Sequence, residues 1–234
     1  MMVTLQAATF DAHDPSRLAR YWAQLLERDV VDEVDAALLP GEDGQLGVRF
    51  APSPTVTTGP RRMHLHLTSA DPDDQRATVA KALSLGGAHL DVGQRPEEGH
   101  IVLADPEGNA LCVIEPDNAY LAGCGFLGEL ACEGTRAVGV FWSEALGWPL
   151  VWDQDEETAI QSLGGGTKVA WGGPPVITET RPHRQRLDLL AAPGLQEREI
   201  DRLVALGATR LEAGRDGVVV MADPDGNEFW VRAG

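Results

Sequence analysis

Several features are scarce in this chain of 234 residues, and each scarcity excludes a class of protein. Its three cysteines, Cys112, Cys124 and Cys132, have no paired spacing, so neither a disulfide scaffold nor a zinc module of paired cysteines is indicated. No apolar run approaches the roughly 20 residues that a membrane span needs, and the first residues lack the pattern of a secretion signal. We therefore expect a reduced, cytoplasmic protein.

Positive charge is also scarce. Nineteen basic residues stand against 36 acidic ones, which gives a formal net charge of −17. Such a surface repels polyanions, so neither nucleic acid nor an anionic membrane is expected as a partner. The acidic residues are scattered rather than grouped, which is typical of a solubility feature. The expected partner is a small-molecule ligand, and a homodimer is left open.

The chain contains an internal duplication. The sequence LADPEGN at residues 103–109 returns as MADPDGN at residues 221–227, each time between two β-type runs. Asp caps such a turn, Pro presets φ and Gly supplies a positive φ, so each copy predicts a β-hairpin. Other matched segments keep an offset of about 120 residues, which divides the chain into two similar halves.

Each half shows a weaker internal repeat of one strand, one helix and about three strands. Leu18, Tyr21, Trp22 and Leu25 recur at helical spacing after Asp14-Pro15, a plausible helix start. The prediction is an α+β fold of four βαβββ modules with curled mixed sheets. The expected units are a first domain at 1–117 (modules about 1–60 and 61–117), a linker at 118–128 and a second domain at 129–234 (modules about 129–180 and 181–234).

Tandem modules of this kind, with an aromatic pair in the first helix and a closing D-P-x-G-N hairpin, resemble the vicinal oxygen chelate superfamily. This group contains glyoxalases, bleomycin resistance proteins and extradiol dioxygenases, and the similarity is to its two-domain glyoxalase-like branch. The resemblance implies two glyoxalase-like domains whose sheets curl around clefts. It also implies a divalent metal held there by His, Glu or Gln from the first strand and the end of each module, which would stabilise developing negative charge.

Carried onto this chain, that metal site is largely missing. In the first half the resemblance points to Ala7, to a strand at about residues 46–50 without His, Glu or Asp, to His64 and to Cys112. Only His64 is a usual ligand. The corresponding places in the second half are occupied by Leu127, residues 168–171, Arg186 and Trp230. No metal ligand and no cofactor are therefore assigned.

Three other groups of residues could form a metal site or a polar cleft. His64 and His66 share one strand face and could form a soft metal site with Cys112. Glu115 lies three residues after Cys112 and hence on the opposite face, which argues against it as a ligand. Arg186 and Asp188 repeat the His64 and His66 spacing in the second half, where a structural ion pair is favoured over catalysis.

The aromatic residues also bear on function. Trp22 and Trp142 lie on the apolar faces of predicted helices and are interpreted as packing residues. Trp171 and Trp230 fall on strands near the former ligand positions. They could line a metal-free cleft for a flat or apolar guest. Trp230 could equally fill the vacated cleft and convert the second half into a closed scaffold.

Two functions follow, and a degenerate scaffold or an oligomerisation partner is a third possibility. The first is a metal-independent protein that binds a drug-like or aromatic small molecule in a cleft around His64, His66, Arg49, Phe50 and Cys112. The alternative is a metal-dependent lyase, isomerase or dioxygenase of the vicinal oxygen chelate type with a reduced metal site, so enzymatic activity is left open. Modules 1 and 2 could pair, or module 1 with 4 and module 2 with 3. The approach of His64 to Cys112 is expected to require the first arrangement.

Overall fold

A computed structural model describes most of the chain. The described residues are 3–42, 44–53, 62–95, 97–173, 185–214 and 217–234. The sequence-based module boundaries near residues 60 and 180 lie outside them. Among the described residues, none of the helices combines the length and apolar character that a membrane crossing requires.

The first half contains two modules of one strand, one helix and three strands, as predicted. Module 1 consists of β1 Val3–Ala12, α1 Pro15–Leu26, β2 Val31–Asp32, β3 Ala37–Leu39 and β4 Gly47–Pro52. Module 2 consists of β5 Met63–Leu67, α2 Pro72–Ser84, β6 Ala88–His89, β7 Ile101–Ala104 and β8 Ala110–Val113.

The second half repeats this order after a short 3-10 turn at Ala119–Leu121. Module 3 consists of β9 Leu127–Cys132, α3 Arg136–Leu146, β10 Leu150–Gln154, β11 Glu157–Ile160 and β12 Lys168–Trp171. Module 4 consists of β13 Gln185–Ala191, α4 Gln196–Ala205, β14 Thr209–Ala213, β15 Val219–Ala222 and β16 Glu228–Ala233. The α+β fold with four modules is thus confirmed.

Helix α1 shows why the sequence pattern was informative. Asp14 caps the helix by accepting a hydrogen bond from the Arg17 backbone N–H at 2.9 Å, and Pro15 occupies the first turn. The helix ends at Glu27, whose left-handed φ of 57° stops the helical path. The apolar face between these ends is buried.

The modules pair across the halves. Modules 1 and 4 form one eight-stranded sheet, here the 1/4 sheet, in which β1 and β13 run antiparallel at the centre. Modules 2 and 3 form the other, the 2/3 sheet, in which β5 and β9 pair in the same way. Of the two arrangements that the sequence left open, this is the second. The domain boundaries at 117 and 129 stay a prediction.

The core lies between the two sheets. Helix α1 packs on β3 and β4 of the 1/4 sheet, whereas α3 packs on β10, β11 and β12 of the 2/3 sheet and also contacts β1. One continuous cluster of buried apolar side chains includes residues from both sheets and all four helices. The faces of the sheets that point away from this core are therefore available for clefts.

Each closing hairpin is tied to the core by a tryptophan. The Trp22 indole Nε1–H donates to Asp105 Oδ2 at 3.0 Å, and the Trp142 indole donates to Asp223 at 3.3 Å. Asp105 also accepts the backbone N–H of Asn109 at 2.8 Å, so one carboxylate holds both the turn and the helix. The expectation that both tryptophans pack in the core is confirmed, since each is 2% exposed.

Candidate functional site

The cleft of the 1/4 sheet is filled by an ion network around Asp188, which is fully buried. Asp188 Oδ2 accepts hydrogen bonds from Thr9 Oγ1 at 2.9 Å and from Arg49 Nη1. Arg232 Nη2 approaches the same oxygen at 3.3 Å, and Arg186 Nε lies 3.8 Å from Oδ1. The Arg186–Asp188 ion pair expected from sequence is therefore present, and it belongs to a larger network.

The remaining members of this network extend it to two further carboxylates. Arg49 donates from Nε and Nη2 to the two carboxylate oxygens of Glu33 at 2.8 and 3.1 Å. Arg186 donates to Asp11 at 2.8 Å, and its guanidinium stacks on the Trp230 ring at 3.8 Å. Three arginines thus balance three carboxylates. Of the two interpretations of Trp230, its stacking against arginine favours the filled cleft over an open guest site.

The cleft face of the 2/3 sheet has a different composition. His66 lies in register with Cys112 on β8 and with Glu129 on β9, and Glu129 lies in register with Lys168 on β12. His64 lies on the same face, with its ring centroid 4.7 Å from that of His66. The donor atoms of His64, His66 and Cys112 all lie within 4.8 Å of one another. Polar groups of four central strands therefore meet on one surface.

Glu129 organises these groups. Its Oε2 lies 2.6 Å from His66 Nδ1, and its Oε1 accepts the Tyr120 hydroxyl at 2.6 Å. Burial disfavours the charged imidazole, but hydrogen bonds to Cys112 and Glu129 outweigh it and raise the pKa of His66 to about 9. Burial would raise the pKa of Glu129, but His66 and Tyr120 lower it. At neutral pH the two residues form an ion pair.

His64 has the opposite protonation behaviour. Burial, followed by the charge of neighbouring His66, lowers the pKa of His64 to about 4. The His64 imidazole is therefore neutral at neutral pH and offers one donor and one acceptor. Two histidines on one strand face thus have different charges.

A cavity of about 670 Å³ opens beside these residues. Its wall combines aromatic rings and small side chains with a few polar groups. The lining residues include Arg62, His64, Tyr120, Glu129, Trp152 and Trp171. Tyr120 and Trp152 meet edge to face with ring centroids 5.8 Å apart. Trp171 is 2% exposed, whereas Trp152 is 38% exposed.

The structure divides the ligand-binding residues expected from sequence into two groups. His64, His66 and Cys112 lie together on the 2/3 sheet, which also carries Trp171. The expectation that the approach of His64 to Cys112 requires modules 1 and 2 to pair is wrong, because both residues belong to module 2. The remaining five predicted residues lie on the 1/4 sheet, namely Arg49, Phe50, Arg186, Asp188 and Trp230.

Two of these placements correct the predicted cleft around the histidines. Arg49 lies in the ion network of the other sheet, so it does not join His64 and His66. Phe50 alternates with Arg49 along β4 and therefore points to the opposite face, where it packs against Phe10 with ring centroids 6.2 Å apart. Neither residue belongs to the cavity of the 2/3 sheet.

Sequence reasoning missed Glu129, Tyr120 and Arg62. Glu129 was missed because the family resemblance pointed to Leu127, two residues earlier, as the first-strand position of module 3. The register shifts between these two positions, since His66 pairs with Glu129 and Leu67 pairs with Leu127. This irregularity places Leu127 in the core and Glu129 in the cleft, although residues two apart normally share a face.

The glyoxalase-like domain family matches the chain twice, at residues 7–114 and 129–232. The chain belongs to the glyoxalase-like domain family. No curated protein matches it. Glyoxalase I from Zea mays has a similar structure, with a TM-score of 0.68 and 15% identity over 98% of this chain and 92% of that chain. A putative dioxygenase from Bacillus subtilis subsp. subtilis str. 168 is similar with a TM-score of 0.64 and 12% identity, over 99% and 85%.

The divalent metal implied by the resemblance would need ligands from the four central strands of a sheet. In the 1/4 sheet the four positions in register are Ala7, Gly47, Asp188 and Trp230, of which only Asp188 could bind a cation. Three arginines already surround that carboxylate. This glyoxalase-like cleft therefore does not fit a divalent metal.

The 2/3 sheet has more residues that could bind a metal, but its set also differs from the ligand pattern that the resemblance implies. Its four positions in register are His66, Cys112, Glu129 and Lys168. Lys168 places an ammonium group, bonded to the Tyr120 carbonyl, where a fourth ligand would be needed. The Glu129 carboxylate bonds to His66 instead of lying beside it as a second ligand. The four residues therefore do not fit the four-ligand arrangement.

Proposed function

We propose that this glyoxalase-like protein binds a small molecule with a flat aromatic or apolar group in the cavity of the 2/3 sheet, without a metal. The observation that carries the proposal is the cavity of about 670 Å³ on the cleft face of this sheet. Its size falls within the range of about 300–1,000 Å³ that is usual for small-molecule sites. A predominantly apolar wall with a few convergent polar groups is also typical of such sites.

The aromatic wall supports a flat guest. Trp152, Trp171 and Tyr120 line the same cavity, and Trp152 is partly exposed. A ring stacked on that indole would bury apolar area on both partners while keeping a defined orientation. The fixed edge-to-face contact with Tyr120 limits the conformations that Trp152 must lose on binding.

The difference between the two clefts supports a structural role for the 1/4 cleft and ligand binding in the 2/3 cleft. Buried ion pairs and stacked arginines fill the 1/4 cleft, whereas the 2/3 cleft retains open volume. We expect one ligand per chain, held by modules 2 and 3. Its setting is the cytoplasm, which the three buried free thiols support, and the strong net negative charge favours neither nucleic acid nor an anionic membrane as partner.

Binding in the absence of a metal can be tested by calorimetry on protein treated with a chelator. Titration with a panel of aromatic compounds should give binding with a stoichiometry of one per chain. Trp152→Ala should weaken it by roughly five- to tenfold, because a stacked aromatic contact contributes about 1 kcal/mol. Trp230→Ala is the matched control in the other cleft and should leave the affinity unchanged. Absence of binding by the whole panel, or an equal loss in both variants, would contradict the proposal.

A second candidate is an enzyme of the vicinal oxygen chelate type that uses a soft metal. The compact group of His64, His66 and Cys112 favours it, since imidazole and thiolate suit Zn²⁺ and Glu129 would orient His66 from behind. Metal analysis of the purified protein separates the two functions. Stoichiometric zinc that is lost in the Cys112→Ser variant would support the second candidate over metal-free binding.

A further inference from the structure

The guanidinium group of Arg62 is incompletely paired inside the protein. Arg62 is 7% exposed, immediately precedes β5 and lines the cavity of the 2/3 sheet. Its Nε and Nη2 atoms have no hydrogen-bond partner among the described residues, and neither is accessible to water. The nearest acid is Glu133, whose Oε2 lies 3.9 Å from Nε, beyond hydrogen-bond distance. Two buried N–H donors of a residue that lines the cavity therefore lack an acceptor among the described residues.

These two nitrogens form one edge of the guanidinium, which is the edge that binds carboxylates in a bidentate manner. The same chain shows this mode twice. Arg49 uses Nε and Nη2 to hold Glu33 at 2.8 and 3.1 Å, and Arg136 uses them to hold Asp153 at 2.6 Å each. In Arg62 the corresponding edge is vacant of hydrogen bonds.

The backbone around Arg62 is firmly held. The Arg62 carbonyl accepts the Glu133 N–H at 2.8 Å, which continues the pairing of β5 with β9. The Met63 N–H donates to Gln185 Oε1 at 2.8 Å, and the Met63 carbonyl accepts from Gln185 Nε2 at 2.6 Å. The start of the Arg62 side chain is thus fixed, and its flexible stem allows the guanidinium to rotate towards a ligand.

We propose that Arg62 recognises a carboxylate on the ligand, so that the ligand is an aromatic or apolar acid with its ring on Trp152. This inference rests on the proposed function and specifies its ligand class. Because buried N–H donors without an acceptor are unfavourable, a carboxylate that accepts from both is bound more tightly than a neutral group of the same shape.

Apart from Glu133, the other ionisable groups considered at the cavity are compatible with an acid. Glu129 is committed to His66 and Tyr120, and His64 is neutral. Glu133 and Glu157 also line the cavity. Glu157 is exposed, so water and salt screen its charge. Glu133 is the acid closest to Arg62, and its charge opposes an incoming carboxylate.

The test compares acids with their neutral amides in calorimetric titrations. The probes are benzoate, phenylacetate and indole-3-acetate, each against the corresponding amide, at up to millimolar concentration. We expect at least one acid to bind about tenfold or more tightly than its amide, as a charge-assisted bidentate contact implies. Arg62→Gln should abolish this preference, and Arg62→Lys should restore only part of it because lysine lacks the planar fork.

Arg136→Gln is the matched control, since it removes the same charge from an arginine whose fork is already occupied by Asp153 outside the cavity. It should leave the preference intact. Amides that bind as tightly as acids, or a preference that survives in Arg62→Gln, would overturn the role of Arg62 while leaving the proposed function in place. If neither the acids nor the amides bind, both the role of Arg62 and the proposed function are overturned.

Discussion

Replacing Asp188 with Asn should destabilise the protein strongly, because the carboxylate is the buried centre of the 1/4 network. Asp188 is fully buried, bonds Thr9 and Arg49, and lies within 4 Å of Arg186 and Arg232. The neutral amide leaves the arginines short of one negative charge and directs N–H groups towards them. Breaking one partner of a buried ion pair costs about 3–5 kcal/mol. Since whole proteins are stable by about 5–15 kcal/mol, this loss would be a large fraction of the total.

Urea unfolding followed by circular dichroism measures the change in the free energy of unfolding. Asp153→Asn is the matched control, because it removes the same charge from a surface pair with Arg136, and it should have a far smaller effect. The Asp188 variant should still bind ligand in the 2/3 cavity at temperatures where it remains folded. A loss of stability no greater than that of the control would refute the structural role assigned to the 1/4 cleft.

Two further predictions concern protonation and packing. NMR titration should give His66 a pKa of about 9, against 6.5 for an ordinary histidine, and Glu129→Gln should lower it. Because the folded-state pKa of His66 is raised, the His66–Glu129 pair stabilises the fold fully below about pH 6.5 and loses its contribution as the pH rises through about 9. An unchanged His66 titration in the Glu129→Gln variant would contradict the pairing. Gly139→Ala should destabilise the fold by about 1–3 kcal/mol, since its Cβ would lie 1.9 Å from Thr158 Oγ1. Thermal denaturation measures both glycine variants, and Gly164→Ala, whose Cβ would have no atom nearer than 3.8 Å, should be close to neutral. Equal effects of the two substitutions would contradict the packing of α3 on β11.

The elements of the fold could be predicted from sequence because their signals are local. Asp14 and Pro15 start α1, and the apolar spacing of the following residues identifies its buried face. The duplicated D-P-x-G-N turns marked the two halves, and the order of strand and helix followed. Trp22 was assigned to the core correctly, although its hydrogen bond to Asp105 joins residues distant in sequence and could not be predicted.

The pairing of modules could not be predicted, because similar modules present similar apolar faces and either arrangement buries them. Because of this ambiguity the expected site residues were grouped incorrectly, and Arg49 was placed with His64 although the two lie on different sheets. Glu129 was missed for a local reason, the register shift after Leu127. A strand irregularity of one residue is invisible to a count that assumes strict alternation.

The most direct test of metal-free binding in the 2/3 cavity uses the indole N–H signals of the six tryptophans in a two-dimensional NMR spectrum. After treatment with a chelator, addition of an aromatic acid should shift the signals of Trp152 and Trp171, which line the cavity. The signal of Trp230, which stacks on Arg186 in the filled cleft, should not move. A shift of Trp230 alone, or a response that appears only after a divalent metal is restored, would contradict this account.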